Sequence, residues 1–463
     1  MKYFFVQVLV FFSILSTANA QKLKVDTLLF NGNADKYINI VILGDGYTAA
    51  QQDAYITDAT NEYQYLLAQS PWSNYTNYFN VFAIKVISAE TGTKHPNTAS
   101  DCASASVPIL NANTYLGSTF DAYGIHRLLV ANNIANISQV LAANFPNYDQ
   151  VLIVVNTPYY GGSGGANATS SLNSASKEIV AHELGHSFGY LADEYWAGAQ
   201  YAIEKPNMTQ QSDPSLIKWK NWLTAGTGIS INAFAEDPSW YKPATNCKMQ
   251  YLGTPYCSVC QEGLVEHIHS LVNPIVKHSP DVLVVNSSSS SLNFSLDQLM
   301  TPTPNTLKIQ WSLDQQNISS NQTSVTLNKL SLGSHQLTAT VIDTTLLVRL
   351  DNHSTIHLSS ITWTITQLAS GVTIDNTSNK ITCSLYPNPA STILNISVEA
   401  EHQEKVSASV MTLDGKLLQR STDGVWNGKT FTHSLNIEAI PTGTYAVVFT
   451  IGNTQHQQLF IKQ

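Results

Sequence analysis

His182 and His186 stand four residues apart, and Glu183 follows the first of them. On a helix that spacing puts both imidazoles on one face, about one turn apart, where they can share a zinc ion. Glu183 then lies beside the metal without having to bind it. From there it can take a proton from a zinc-activated water and pass it to a leaving amine, while the metal polarises the scissile carbonyl. The chemistry implied is zinc-dependent hydrolysis, above all of a peptide bond. The plainer reading is an amphipathic helix whose histidines are ordinary polar-face residues, and the residues beyond His186 weigh against it.

A catalytic zinc needs a third protein ligand and an open fourth position. Gly189 is expected to take the left-handed conformation that turns the chain back at the helix end. In the metzincin pattern H-E-x-x-H-x-x-G-x-x-H the third ligand stands three residues after that glycine. Ala192 occupies this place and cannot bind metal. Asp193 is the expected ligand, with Glu194 the alternative and otherwise a partner that orients a histidine.

Several elements must position these groups. Asn173, Ser174 and Ser176 offer caps for the helix, and Ile179, Val180, Leu184 and Phe188 lie close to helical spacing. Val151 to Val155 reads as a buried strand leading to Gly161-Gly162-Ser163-Gly164-Gly165, a cleft edge and not a phosphate loop, since no Gly-Lys-Ser or Gly-Lys-Thr follows. Ile38 to Leu43 reads as another strand, with Gly44-Asp45-Gly46-Tyr47 a tight turn into a helix around Ala49 to Leu67. Cys247-Lys248-Met249-Gln250-Tyr251 is placed to be a methionine turn under the metal. Met249 would be its floor, or else core filler; Tyr251 would donate to the tetrahedral intermediate, or else be a surface aromatic.

The run His182 to Tyr195, with its Asp-Glu-Tyr ending, resembles the bacterial IgA-peptidase family of zinc metalloendopeptidases. Ile38 to Tyr47, Tyr78-Phe79-Asn80-Val81 and Gly161 to Gly165 extend the resemblance over roughly residues 36 to 270. It implies a metzincin-like α/β (α+β) catalytic domain and proteolysis, without implying cleavage of IgA.

Lys2, an apolar stretch from Tyr3 to Leu15 and Ala18-Asn19-Ala20 form a signal peptide over residues 1–20, too short to span a membrane. A formal charge of −9 with no basic block argues against nucleic acid, and abundant Ser, Thr and Asn fit an extracellular β-rich chain. Five cysteines are an odd number for an oxidising compartment. A disulfide from Cys247 to Cys257 or Cys260 is preferred over a second, structural zinc site at the Cys257-x-x-Cys260 spacing, which has His267 and His269 nearby; Cys102 and Cys383 stay unassigned.

The expected catalytic domain is 21–275. Beyond it, alternating runs around Leu307–Trp311, Leu337–Val341 and Ile361–Ile365 read as an immunoglobulin-like β-sandwich over 276–375. Leu385-Tyr386-Pro387-Asn388-Pro389-Ala390, Ile440 to Tyr445 and Phe460-Ile461-Lys462 are similar to the C-terminal sorting domain of the bacterial type IX secretion system, over 383–463. That resemblance implies export through the periplasm to the medium or cell surface, with the secretion machinery and a protein substrate as partners. Two function classes emerge: a secreted zinc endopeptidase, or a surface adhesion or glycan-binding protein that keeps a protease-like fold. Intact His182, Glu183 and His186 favour the first.

Overall fold

The computed structural model describes residues 22–104, 107–368, 382–399, 405–412, 416–421, 424–427, 429–451 and 454–463. The expected leader at residues 1–20 lies outside them. Two compact units divide the chain, Met1–Leu368 and Ala369–Gln463.

The first unit is built on a six-stranded sheet in the order Val25–Leu29, Phe79–Ile84, Ile38–Asp45, Gln150–Val155, Ala168–Ser171 and Gly162–Ser163. Its four inner strands are parallel and both outermost pairings are antiparallel. Ile38–Asp45 is buried at every position, as a strand covered on both faces should be. Successive side chains point to opposite faces, so one run feeds two cores. Ile38, Ile40 and Ile42, with Val81 and Leu152, meet helices α1 (Gln52–Leu67), α3 (Ser176–Ser187) and α4 (Ser258–Leu271). Val41 and Leu43, with Phe82 and Ile153, meet Ile137, Val140 and Leu141 of helix α2 (Ile134–Asn144).

The expected turn after Ile38–Asp45 is present. Gly46 has φ +74°, and a Cβ there would lie 1.9 Å from the Gly92 carbonyl oxygen, so only glycine fits. Buried Asp45 beside it accepts from the backbone N–H of Leu116 (2.8 Å) and Ser118 (2.9 Å), pinning the long insertion between Phe79–Ile84 and α2 to the sheet.

From Ile275 the chain forms a sandwich of two sheets. One has three strands, Ile275–Ser279, Ser291–Leu299 and Ser324–Asn328; the other has five, Val284–Ser287, Ser359–Gln367, Gly333–Asp343, Leu307–Leu313 and Gln316–Ser320. Phe294 and the stacked rings of Trp311 and Trp363, 5.8 Å apart, fill the space between them. This sandwich belongs to the same compact unit as the large sheet, and buried Asp343 is a main tie. Its Oδ2 accepts from the Tyr75 hydroxyl at 2.8 Å and lies 3.1 Å from His269 Nε2, while Oδ1 accepts from Thr306 at 2.5 Å. Asp343→Ala strands these buried partners, and a loss of about 3 kcal/mol is expected in urea denaturation of the full chain. An unchanged midpoint would show that the tie contributes nothing.

The second unit pairs two four-stranded sheets: Thr382–Tyr386, Ile393–Glu399, Thr430–Asn436 and Val425–Asn427 face Leu417–Ser421, Val406–Met411, Gly443–Ile451 and Thr454–Lys462. Leu394, Ile396 and Val398 alternate inward against Val447, Phe449 and Ile451, the pattern of a β-sandwich.

Candidate metal centre

Helix α3 carries His182 and His186 with their Nε2 atoms 3.2 Å apart. Each outer nitrogen is fixed: His182 Nδ1 lies 2.9 Å from the Lys248 carbonyl oxygen, and His186 Nδ1 lies 2.8 Å from that of Leu191. A carbonyl only accepts, so in the neutral imidazoles Nδ1 holds the proton and both Nε2 lone pairs point inward.

The chain then turns sharply. Gly189 N donates to Leu184 O (3.1 Å), Tyr190 N to His186 O (3.1 Å) and Leu191 N to Gly185 O (2.9 Å). The left-handed residue is Tyr190, at φ 53°, and not Gly189 as expected from the sequence. Gly189 is needed for space: a Cβ there would lie 2.7 Å from Leu264 Cδ2 and 2.9 Å from the Gly185 carbonyl oxygen. Buried Asn207 clamps Ala192, accepting from its N–H at 2.7 Å and donating to its carbonyl oxygen at 2.9 Å.

The two carboxylates after Ala192 part company. Asp193 Oδ1 sits 3.1 Å from His182 Nε2 and 3.2 Å from His186 Nε2, completing a three-donor cluster. Burial opposes its charge, but hydrogen bonds from His182 and His186 in their protonated, imidazolium form outweigh burial and hold the carboxyl well below the usual range. Glu194 instead enters a second cluster with Cys247, Cys257 and Cys260. Its Oε1 lies 3.0 Å from Cys260 Sγ and accepts from Asn207 Nδ2 at 3.1 Å, and its backbone N–H donates to Met249 O at 2.8 Å. All three cysteines are free thiols, Cys247 and Cys260 with sulfurs 3.6 Å apart, so the staple expected from Cys247 is absent. His267 and His269 are not drawn into this group: His267 packs on Phe188 and Tyr190, and His269 on Asp343.

Met249 is buried beneath α3, where a Cβ on Gly185 would lie 2.5 Å from its Sδ. The turn that carries it is tied to the first turn of α3 by Glu178, which pairs with Lys248 and accepts from Gly253 N at 2.9 Å. Glu183 is walled by Gly164, just past the edge strand Gly162–Ser163, where a Cβ would lie 1.8 Å from its Oε2. Burial holds the Glu183 carboxyl above its ordinary value, with His182 and His186 pulling the other way.

Tyr251 is not gathered with these groups. It is 51% exposed, and its hydroxyl accepts from Gln250 Nε2 at 2.8 Å. Tyr195, which no sequence pattern singled out for chemistry, is nearer: burial first, then the charge of Asp193 and a hydrogen bond to it, push its phenol up to about 12. A small cavity of about 20 Å³ lies beside Asp193, Tyr195 and Trp196, room for one water. A cavity of about 790 Å³ contains none of the three donors; Tyr190, Trp219, Glu266 and His267 line part of it.

The family model described as IgA Peptidase M64 matches residues 27–237, and that described as Secretion system C-terminal sorting domain matches residues 384–463. No curated protein matches the chain. Among solved structures it is similar to dimeric latent PorU from Porphyromonas gingivalis, at 11% identity over 41% of this chain and 20% of that one, with a TM-score of 0.16. It is also similar to a chimeric titin Z1Z2-Z1Z2 tandem (11% identity, 39% of this chain, 92% of that one, TM-score 0.20). A third likeness is to Bacteroides uniformis beta-glucuronidase 3 (8% identity, 48% and 28% covered, TM-score 0.19). No helix among the described residues is long and apolar enough to cross a membrane. Residues 27–237 therefore match the IgA peptidase M64 family and residues 384–463 a type IX sorting domain, which indicates export of the chain to the medium or the cell surface.

Proposed function

We propose that the chain is a zinc-dependent endopeptidase of metzincin-like design that cleaves extracellular proteins. The observation that carries this reading is the convergence of His182 Nε2, His186 Nε2 and Asp193 Oδ1, 3.1–3.2 Å from one another, with both outer histidine nitrogens already engaged. Two nitrogens and one carboxylate oxygen are a donor set that zinc accepts with a position to spare. Zinc held there would polarise the scissile carbonyl and acidify water. Glu183, adjacent in the helix and shielded from solvent, takes the proton of the attacking water and returns it to the leaving amine. Met249 under Gly185 supports the metzincin reading by keeping the floor of α3 apolar and rigid.

Tyr195 positions Asp193. Removing its hydroxyl in Tyr195→Phe is expected to weaken metal retention about tenfold, the effect of losing one partner of a ligand. Tyr251→Phe is expected to leave both metal retention and turnover at the wild-type level. Loss of turnover with zinc retained in Tyr251→Phe would return Tyr251 to the chemistry, and unchanged zinc retention of Tyr195→Phe against a chelator would remove Tyr195 from its role.

Incubating the zinc-loaded full chain with a diverse peptide pool tests the activity itself. Cuts within peptides that disappear with chelator are expected. Cuts that persist after the metal is stripped, or none with metal present, would overturn the reading.

A further inference from the structure

A second set of donors lies far from His182 in the chain. His95, in the short strand Lys94–His95, Cys102, in the turn Ser100–Ser104, Asp121 and His126 each offer one ligand atom, and the four atoms lie within 4.8 Å of one another. Cys102 Sγ is 3.1 Å from His126 Nδ1, 3.2 Å from Asp121 Oδ1 and 3.7 Å from His95 Nε2. Asp121 Oδ1 is 3.1 Å from His126 Nδ1 and 3.4 Å from His95 Nε2. His95 and Asp121 side chains are each only 1% exposed.

These groups are oriented as ligands are. His95 Nδ1 lies 2.8 Å from the Pro108 carbonyl oxygen, so in the neutral ring the proton sits outside and the Nε2 lone pair faces the cluster. Asp121 spends Oδ2 on the Thr98 N–H at 2.7 Å and turns Oδ1 inward. His126 is held from behind by its backbone N–H to Asp101 Oδ1 at 2.8 Å. A hydrogen-bonded core built on neutral imidazoles does not account for this. The His95 lone pair would face the carboxylate oxygen with no proton between them, and the single thiol proton cannot serve Asp121, His95 and His126 together. One cation in the middle satisfies all four.

We infer that His95, Cys102, Asp121 and His126 form a structural zinc site. The two imidazoles, one thiolate and one carboxylate make a closed four-donor set of the kind zinc takes tetrahedrally, with the thiolate selecting against calcium and magnesium. Bonds of about 2.0–2.3 Å would space the donors about 3.3–3.8 Å apart, close to what the residues already adopt.

The site has something to hold. Just beyond His126, Arg127 O accepts from Gly162 N at 3.1 Å and Leu129 N donates to Gly162 O at 3.3 Å. Phe120, next to Asp121, stacks on His126 and fills the space a Cβ on Gly161 would need. The ion would thus buttress the segment that runs on to Gly164 and walls Glu183. This inference stands without the proposed peptidase chemistry.

The test is metal counting on the full chain. Cys102→Ser and His126→Ala are each expected to lose one zinc equivalent relative to wild type, while His186→Ala loses a different one and the double variant His126→Ala with His186→Ala loses two. In the cobalt-loaded protein Cys102→Ser should reduce the thiolate-to-cobalt charge-transfer band, and His186→Ala should not. Folded Cys102→Ser with unchanged zinc and an unchanged cobalt band overturns the site. Where that variant does not fold, anomalous scattering at the zinc edge from wild-type crystals decides: a peak between His95 Nε2 and Cys102 Sγ is expected, and no peak there in zinc-soaked crystals overturns it.

Discussion

Glu183→Gln should lower kcat/KM for peptide hydrolysis by about three orders of magnitude, about 4 kcal/mol of transition-state stabilisation, while the zinc content stays at the wild-type level. The substitution keeps the volume of the side chain, which matters because Gly164 leaves room for a carboxylate and nothing larger beside it. It removes only the capacity to accept a proton. Burial raises the affinity of Glu183 for that proton, with the two histidines pulling the other way, so the group is a stronger base than an exposed glutamate. Single-turnover assays with a cleaved peptide from the pool, alongside metal analysis, make the measurement. Turnover within about threefold of wild type with zinc retained would remove Glu183 from the chemistry.

The histidine pair and its glutamate were legible because a helix is a local object: spacing alone places His182 over His186. The strands Ile38–Asp45 and Gln150–Val155 were legible for a related reason, through the apolar runs Ile40 to Leu43 and Val151 to Val155, which suit a strand covered on both faces. The segment after the helix was not legible in this way. The turn is made at Tyr190, a residue type that rarely takes positive φ, because Gly189 is committed to the contact with Leu264. The cysteines misled for want of a partner: Glu194 joins Cys247, Cys257 and Cys260 only after the chain from 194 to 247 has folded back. Tyr195 stands in the Asp-Glu-Tyr ending beside the ligand, but that pattern marks no chemistry for it, because its effect depends on burial that no local pattern reveals. His95, Cys102, Asp121 and His126 match no ligand spacing at all, since their proximity is set by loops pinned to Asp45 and not by one helix or hairpin.

Asp193→Ala should cost about 3–4 kcal/mol of metal binding, a zinc affinity lower by two to three orders of magnitude, and with it all measurable turnover at ordinary zinc concentration. That figure takes a protein zinc site to be worth about 12 kcal/mol and shares it among its ligands. The neighbouring Glu194→Gln is the decisive contrast, since the two carboxylates are adjacent in sequence and separate in space. Asp193 Oδ1 touches both imidazoles, whereas Glu194 is fully buried among thiols and Asn207, with Oε2 left without a hydrogen-bond partner. Burial pushes the Glu194 carboxyl up to about 8, so much of its population is neutral at pH 7 and a neutral amide of the same shape is a mild change. Glu194→Gln should therefore keep the zinc held by His182 and His186, whatever it does to the cysteine cluster. Competition against a chelator of known affinity, read together with turnover, separates the two variants. If Glu194→Gln releases the activity-linked zinc and Asp193→Ala retains it, the third ligand has been assigned to the wrong carboxylate, and the turn at Tyr190 must present the chain differently when metal is bound.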